Sequence, residues 1–293
     1  MAFEKAASDY ASVEAGRSNA VASRGGEVPA APPFVLLHGF AQTPASWDEV
    51  AAALQAAGHR TFVPDLFAWL GEEGCDAASP VCAGQEGAAP LTAACDRVAQ
   101  VVRQVAEVEG APVVVGYSMG GRLAAETLAR HPDLSLAGLV LESAGLGPAD
   151  EDARAAMAQR NGDWAARLRT EGVETFMDWW ETLPLFASQR ALPAPVRAKV
   201  RAQRTAHDAE VLAHSFEAWG AQHQALEEET LAALGALQER GVPVRYLAGS
   251  LDAKYTAVAE RVRGAGLPAA VVPAAGHNIH LERPQAFAAA LLD

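Results

Sequence analysis

Short apolar runs and helically spaced stretches alternate along most of the chain. Phe34-Val35-Leu36-Leu37 is an apolar run ending in His38-Gly39-Phe40, the pattern of a strand buried on both faces that discharges into a loop. Ser46 to Ala57 follows with helical spacing, Ser46 as the candidate N-cap and Gly58 as the stop. Further buried-strand runs are Arg60–Pro64, Pro112–Gly116, Gly138–Glu142, Pro243–Leu247 and Ala269–Val272, with helical patterns over 92–108, 120–130 and 254–264 between most of them. Strands and helices alternating in this way predict an α/β fold with a mostly parallel sheet wrapped by helices. Right-handed crossovers then bring the strand C-termini to one rim, where ligands bind in open α/β sheets.

Two stretches break the rhythm. Residues 1–33 are rich in Ala, Ser, Gly and Pro with weak periodicity, which predicts a partly ordered lead-in with room for one edge hairpin. The segment from Pro148 to Gly241 reads as largely helical, holds no strand run, and carries Trp164, Phe176, Trp179, Trp180, Phe186 and Trp219. It is a helical subdomain with its own aromatic core, a lid over the rim, or both. The organisation is thus a core in two halves, 34–147 and 242–293, around an inserted helical segment at 148–241.

Composition narrows the function. Of 293 residues, 50% are apolar, enough for one large domain with an insertion. No run of about 20 apolar residues spans a membrane, and Met1-Ala2-Phe3-Glu4-Lys5 opens no secretory signal, so a soluble cytoplasmic protein is expected. A net charge of −13 disfavours nucleic acid and anionic membranes as partners and favours small molecules. Should the substrate be anionic, local arginines must reverse the field in its pocket. Cys75, Cys82 and Cys95 are too few and too clustered for a disulfide scaffold; reduced thiols are expected, with a local Cys75–Cys82 bridge as the alternative. The histidines show no metal spacing, and His207 and His214 read as surface residues. Neither a metal nor a cofactor is expected.

The chemistry centres on Gly116-Tyr117-Ser118-Met119-Gly120. A serine on a tight strand-to-helix turn has strained backbone angles, and glycines two before and two after relieve the crowding. The pentapeptide alone is a weak signal, since a plain strand-to-helix turn would satisfy it. Its setting strengthens it, because Pro112-Val113-Val114-Val115 precedes it as a strand and Arg122 to Ala129 follows as a helix. A serine hydroxyl needs a neighbour to take its proton and a third group to orient that neighbour. Asp252, after Leu247-Ala248-Gly249-Ser250-Leu251, and His277, after Ala274-Ala275-Gly276, follow in the order Ser, Asp, His at strand ends. His280 competes with His277 but lies beyond the glycine turn and is read as supporting it. An oxyanion hole would come from the backbone N–H groups of Met119 and Phe40, with His38-Gly39 shaping the turn.

With these residues in place, the chain resembles the 2-succinyl-6-hydroxy-2,4-cyclohexadiene-1-carboxylate synthases of menaquinone biosynthesis, a branch of the α/β-hydrolases, from about Phe34 to the C-terminus. The marks are Gly116-Tyr117-Ser118-Met119-Gly120-Gly121-Arg122, Asp178-Trp179-Trp180-Glu181-Thr182-Leu183-Pro184-Leu185-Phe186-Ala187-Ser188, Ala248-Gly249-Ser250-Leu251-Asp252-Ala253-Lys254-Tyr255 and Ala275-Gly276-His277-Asn278-Ile279-His280. The resemblance implies an α/β-hydrolase fold with a helical lid inserted, and a lyase that expels pyruvate from an enolpyruvyl cyclohexene. In that reaction Ser118, activated by His277 and Asp252, acts as a base and no acyl-enzyme forms. A substrate with three carboxylates calls for arginines. The resemblance points to Arg122 and Arg204, and leaves Arg154 and Arg160 equal as the further lid arginine. It also implies that Tyr117, Trp164, Trp179 and Phe186 line the pocket, although such aromatics also serve as core.

One departure bears on substrate choice. After Phe62-Val63-Pro64-Asp65-Leu66 the relatives usually continue with a Pro-Gly-His-Gly-like loop, whereas this chain reads Phe67-Ala68-Trp69-Leu70-Gly71 and runs into a cysteine-bearing insert through Pro90. A carboxylesterase or thioesterase working through an acyl-enzyme is the alternative on the same three residues, and a non-catalytic binding module is the third reading.

Overall fold

The structure, a computed structural model, describes residues 31–72 and 90–293. The lead-in hairpin and any Cys75–Cys82 bridge lie outside the described residues. Among the described residues, six strands form a parallel sheet: β1 (Phe34–Leu37), β2 (Thr61–Phe62), β3 (Val113–Tyr117), β4 (Gly138–Glu142), β5 (Val244–Gly249) and β6 (Ala269–Val272), in the order β2-β1-β3-β4-β5-β6. The pleat explains why β1, β3 and β4 read as unbroken apolar runs, since side chains alternate between two covered faces. Phe34 and Leu36 share one cluster with Val115, Val140 and Leu247, while Val35 and Leu37 share the other with Val114, Leu139 and Leu141.

Helices cover both faces: α1 (Asp48–Ala56), α2 (Leu66–Glu72), α3 (Pro90–Glu109), α4 (Met119–Arg130), α9 (Ala253–Gly264), α10 (Ile279–Glu282) and α11 (Pro284–Leu292). Between β4 and β5 come α5 (Glu151–Trp180), a 3-10 segment (Pro184–Ala191), α6 (Ala194–Thr205), α7 (Ala209–Ala218), a 3-10 turn (Ala221–His223) and α8 (Glu227–Glu239), with no strand among them. Asp150 caps α5 by accepting the Ala153 N–H at 2.7 Å, and Gly172, with φ 77, kinks it.

Two local expectations are corrected. Ser46 does not cap α1: Pro44 starts a 3-10 turn over Pro44–Trp47, so Ser46 already sits inside a turn and donates its N–H to Thr43 O. The second strand shrinks to Thr61–Phe62 because Pro64 has no N–H to offer a ladder. Cys95 is a free, buried thiol whose pKa burial pushes up to about 12. Among the described residues, no helix is long and apolar enough to cross a membrane.

Candidate active site

The ends of β1, β3, β4, β5 and β6 meet on one rim. Ser118 is the whole connection between β3 and α4, and its backbone is forced to φ 50, ψ −106. Glycine is required on either side of it. A Cβ on Gly116 would lie 2.6 Å from Gly120 O, and one on Gly120 would lie 2.3 Å from Leu37 O. The strained serine is pinned by its N–H to Glu142 O at 2.9 Å.

The loop after β6 delivers His277, whose Nε2 lies 3.2 Å from Ser118 Oγ and whose Nδ1 lies 2.8 Å from Asp252 Oδ2. Asp252 caps α9 with its other oxygen, accepting the Tyr255 N–H at 3.2 Å. A carboxylate only accepts, so Nδ1 carries the imidazole proton and Nε2 is left to accept the Ser118 hydroxyl. Asp252 and His277 are 6% and 1% exposed, so water does not compete for this chain of hydrogen bonds.

Met119 opens α4, so its N–H belongs to the first helical turn, which has no partner four residues back and carries the positive end of the helix dipole. Phe40 stands in the turn after β1. That turn is held from three sides: Gly39 donates its N–H to Gln42 Oε1 at 2.8 Å, His38 Nδ1 lies 3.0 Å from Gly39 O, and His38 Nε2 accepts the Leu66 N–H at 3.0 Å. A Cβ on Gly39 would run into the Tyr117 ring at 2.5 Å.

The four arginines separate into two kinds. Arg122 donates to Trp219 O at 2.8 Å, and Arg160 lies 4.8 Å over the Trp164 ring with weak contacts to Asn161 Oδ1. Neither pairs with a carboxylate among the described residues. Burial pushes Arg122 down to about 10, and the charge of Arg160 adds to the shift while Tyr255 opposes it; burial lowers Arg160 as well. Arg204 is engaged by Glu181 Oε1 and Gln189 Oε1, each at 3.0 Å, and lies 4.8 Å over Phe186. Arg154 is tied to Glu151 at 3.0 Å and to the carbonyls of Gln222 and Gln224 at 2.6 and 2.7 Å. The pair that sequence left equal is therefore unequal: Arg154 staples a loop, and Arg160 lies uncompensated within the field of Arg122.

Three rings surround His277: Tyr255 at 4.7 Å, Tyr117 at 5.3 Å and Phe186 at 6.1 Å. Burial, with the charge of Glu142, holds the Tyr117 hydroxyl far above its ordinary value. Trp164 and Trp179 pack within an aromatic cluster that includes Phe176, Trp180 and Phe216, and Arg167 covers Trp179 at 4.4 Å. That cluster reaches the site through Phe40, whose ring lies 4.3 Å from Phe216 and 5.1 Å from Trp180.

Sequence reasoning missed Tyr255, Trp180, Phe216 and Phe67. Tyr255 was findable, because a residue three after a helix-capping aspartate falls in the same first turn; the others look like core and partly are. In place of the relatives' loop, Phe67 of α2 stacks on His38 at 5.7 Å and meets Phe40 at 6.3 Å. His207 is half-buried rather than freely exposed: it packs at 4.8 Å on Phe67, and burial lowers its pKa. His280 is fully buried, donating its N–H and pairing its Nδ1 to the Glu142 carboxylate at 3.0 and 2.6 Å. Among the described residues, no cluster of His, Cys, Asp and Glu could hold a metal.

Comparison with known proteins supplies the family context. Residues 34–290 match the model of the alpha/beta hydrolase family. A 2-succinyl-6-hydroxy-2,4-cyclohexadiene-1-carboxylate synthase of Enterobacter sp. (strain 638) is 31% identical over 266 residues, 90% of this chain and 91% of that protein. A putative enzyme of the same name from Bacillus subtilis (strain 168) is 33% identical over 177 residues, 59% of this chain and 62% of its own length. The structure of MenH from S. aureus superposes with a TM-score of 0.75 at 23% identity, covering 89% of this chain and 92% of that one.

Proposed function

From a chain that belongs to the alpha/beta hydrolase family, and within it to the 2-succinyl-6-hydroxy-2,4-cyclohexadiene-1-carboxylate synthases, we propose a lyase that eliminates pyruvate from an enolpyruvyl cyclohexene tricarboxylate. Ser118 Oγ removes a ring C–H proton as its own proton passes to His277 Nε2, and Asp252 stabilises the imidazolium that results. The C–H electron pair becomes a ring double bond, the existing double bond shifts, and the C–O bond to the enolpyruvyl group breaks. The departing enolpyruvate collects a proton and becomes pyruvate. Met119 and Phe40 N–H groups face the negative charge that develops.

The observation that carries this reading is the pair Arg122 and Arg160, guanidiniums without carboxylate partners among the described residues: Arg122 stands one helical turn after Ser118, and both lie in the field of Tyr255, whose ring packs 4.7 Å from His277. Arg122, half-buried without a carboxylate partner among the described residues, costs stability in the free protein, and its charge becomes favourable once an anion arrives. A neutral ester offers nothing to neutralise it, which sets the lyase above the acyl-enzyme hydrolase. Arg204 joins the site by exchanging Glu181 for a substrate carboxylate, and the helices between β4 and β5 act as the lid that brings Arg160, Arg204 and Phe186 to the rim. The test is pyruvate release by the purified protein. Arg122→Ala and Arg160→Ala are expected to lower kcat/KM by about 100-fold each. Rapid turnover of simple acyl esters without pyruvate release would sink the proposal.

A further inference from the structure

The loop that carries His277 is held by a carboxylate that takes no part in the proton chain. Glu282 accepts the Gly276 N–H at 2.7 Å on one oxygen and the Ser188 hydroxyl at 2.9 Å on the other. Burial pushes the Glu282 carboxyl above its ordinary value, and the Gly276 N–H, the Ser188 hydroxyl and the Asn278 N–H oppose that rise; the carboxylate thus grips the backbone immediately before His277. The fit is tight: a Cβ on Gly276 would lie 1.9 Å from Ser188 Oγ. Ser188 itself belongs to the 3-10 segment Pro184–Ala191, which also places Phe186 at 6.1 Å from the His277 ring. One hydroxyl thus ties the helices inserted after β4 to the loop that aims the imidazole. Ser188 and Glu282 both lie outside the hydrogen-bonded chain Asp252–His277–Ser118.

We propose that Glu282 is a positioning residue for His277 and that Ser188, by donating to it, couples the placement of the Pro184–Ala191 segment to the aim of the imidazole. The segment is then more than a cover. When it is seated, Ser188 helps fix Glu282 and the imidazole faces Ser118; when it lifts, Glu282 loses one of its donors and the Gly276–Asn278 backbone loosens. Removing the link should therefore lower the chemical step more than substrate capture, because a misaimed base fails in the transition state while the arginines still hold the substrate.

The test uses Ser188→Ala, which deletes only the hydroxyl, alongside Glu282→Gln. Amide hydrogen exchange over Ala275–Asn278 is followed by mass spectrometry in the full chain, and kcat and KM are measured for pyruvate release. Exchange in Ser188→Ala is expected to quicken about tenfold at a loop distant in sequence from the substitution, with kcat down about tenfold and KM within about twofold. Glu282→Gln should show the same pattern more strongly, and the double variant should be no worse than Glu282→Gln alone. Unchanged exchange in Ser188→Ala, or a loss confined to KM, overturns the proposal. The kinetic arm rests on the lyase reading, but exchange does not: wild-type protein that releases no pyruvate defeats that reading and leaves exchange to decide this one.

Discussion

Ser118 concentrates strain that glycines at 116 and 120 make tolerable, and the cost of disturbing it falls on function and folding differently. Ser118→Ala keeps the turn and removes the proposed base, so pyruvate release should drop by about 1,000-fold or more while the thermal midpoint stays close to wild type. Arg122 behaves in the opposite sense. Burial holds its folded pKa down at about 10, below the ordinary guanidinium value, so below pH 10 the guanidinium carries a charge that the unfolded chain would accommodate better, and this penalty fades only as pH rises from about 10 to that ordinary value. Arg122→Met should stabilise the free protein at neutral pH by about 1–2 kcal/mol in urea titrations, after subtracting the bond to Trp219 O, while losing nearly all elimination activity. A variant that is both less stable and fully active would contradict this assignment.

These residues were unequally legible. Ser118, Asp252 and His277 stood out because each follows an apolar strand run and the chemistry needs all three. Arg154 and Arg160 were indistinguishable in sequence, since the difference lies in carbonyls contributed from residues 222 and 224, far along the chain. His207 and His280 looked like minor histidines; His207 proved half-buried against Phe67 and His280 fully buried against Glu142.

At the scale of elements, the parallel sheet was readable because strands covered on both faces leave unbroken apolar runs, whereas the start of α1 was misplaced because Pro44 begins a turn before Ser46 can cap it. The bend in α5 was hidden for a different reason. Gly172 sits inside a helical pattern, and nothing in its neighbours announces φ 77, ψ 166, a conformation open only to glycine. Gly172→Ala should lower stability by about 1–3 kcal/mol and shift the Trp179–Trp180 end of α5, raising KM through Phe186 and Arg204. Circular dichroism melts with parallel kinetics check it; an unchanged melt means the kink carries no strain on substitution.

At the scale of the whole molecule, a net negative charge stands against a small cationic patch made of half-buried Arg122 and exposed Arg160. With a net charge of −13, the protein as a whole should repel the proposed anionic substrate at long range, while Arg122 and Arg160 should attract it at short range. Salt screens the first effect much more than the second. Raising ionic strength from about 10 mM to about 150 mM should therefore increase kcat/KM by about two- to fivefold, the reverse of ordinary electrostatic steering. A fall with salt would mean that the acidic surface is arranged to leave a positive approach. Charge alone disfavoured nucleic acid in the sequence; where the cationic patch lies needed the folded chain, because it joins α4 to a helix inserted after β4.

The central claim is that Ser118 works as a base on an enolpyruvyl tricarboxylate. Pyruvate release by the purified protein, read continuously through a coupled lactate dehydrogenase, tests it most directly. The account predicts stoichiometric pyruvate from the wild type, none above background from Ser118→Ala, and no acylated Ser118 in intact-mass spectra taken during turnover; an acyl adduct on Ser118, or an inert wild type, would contradict it.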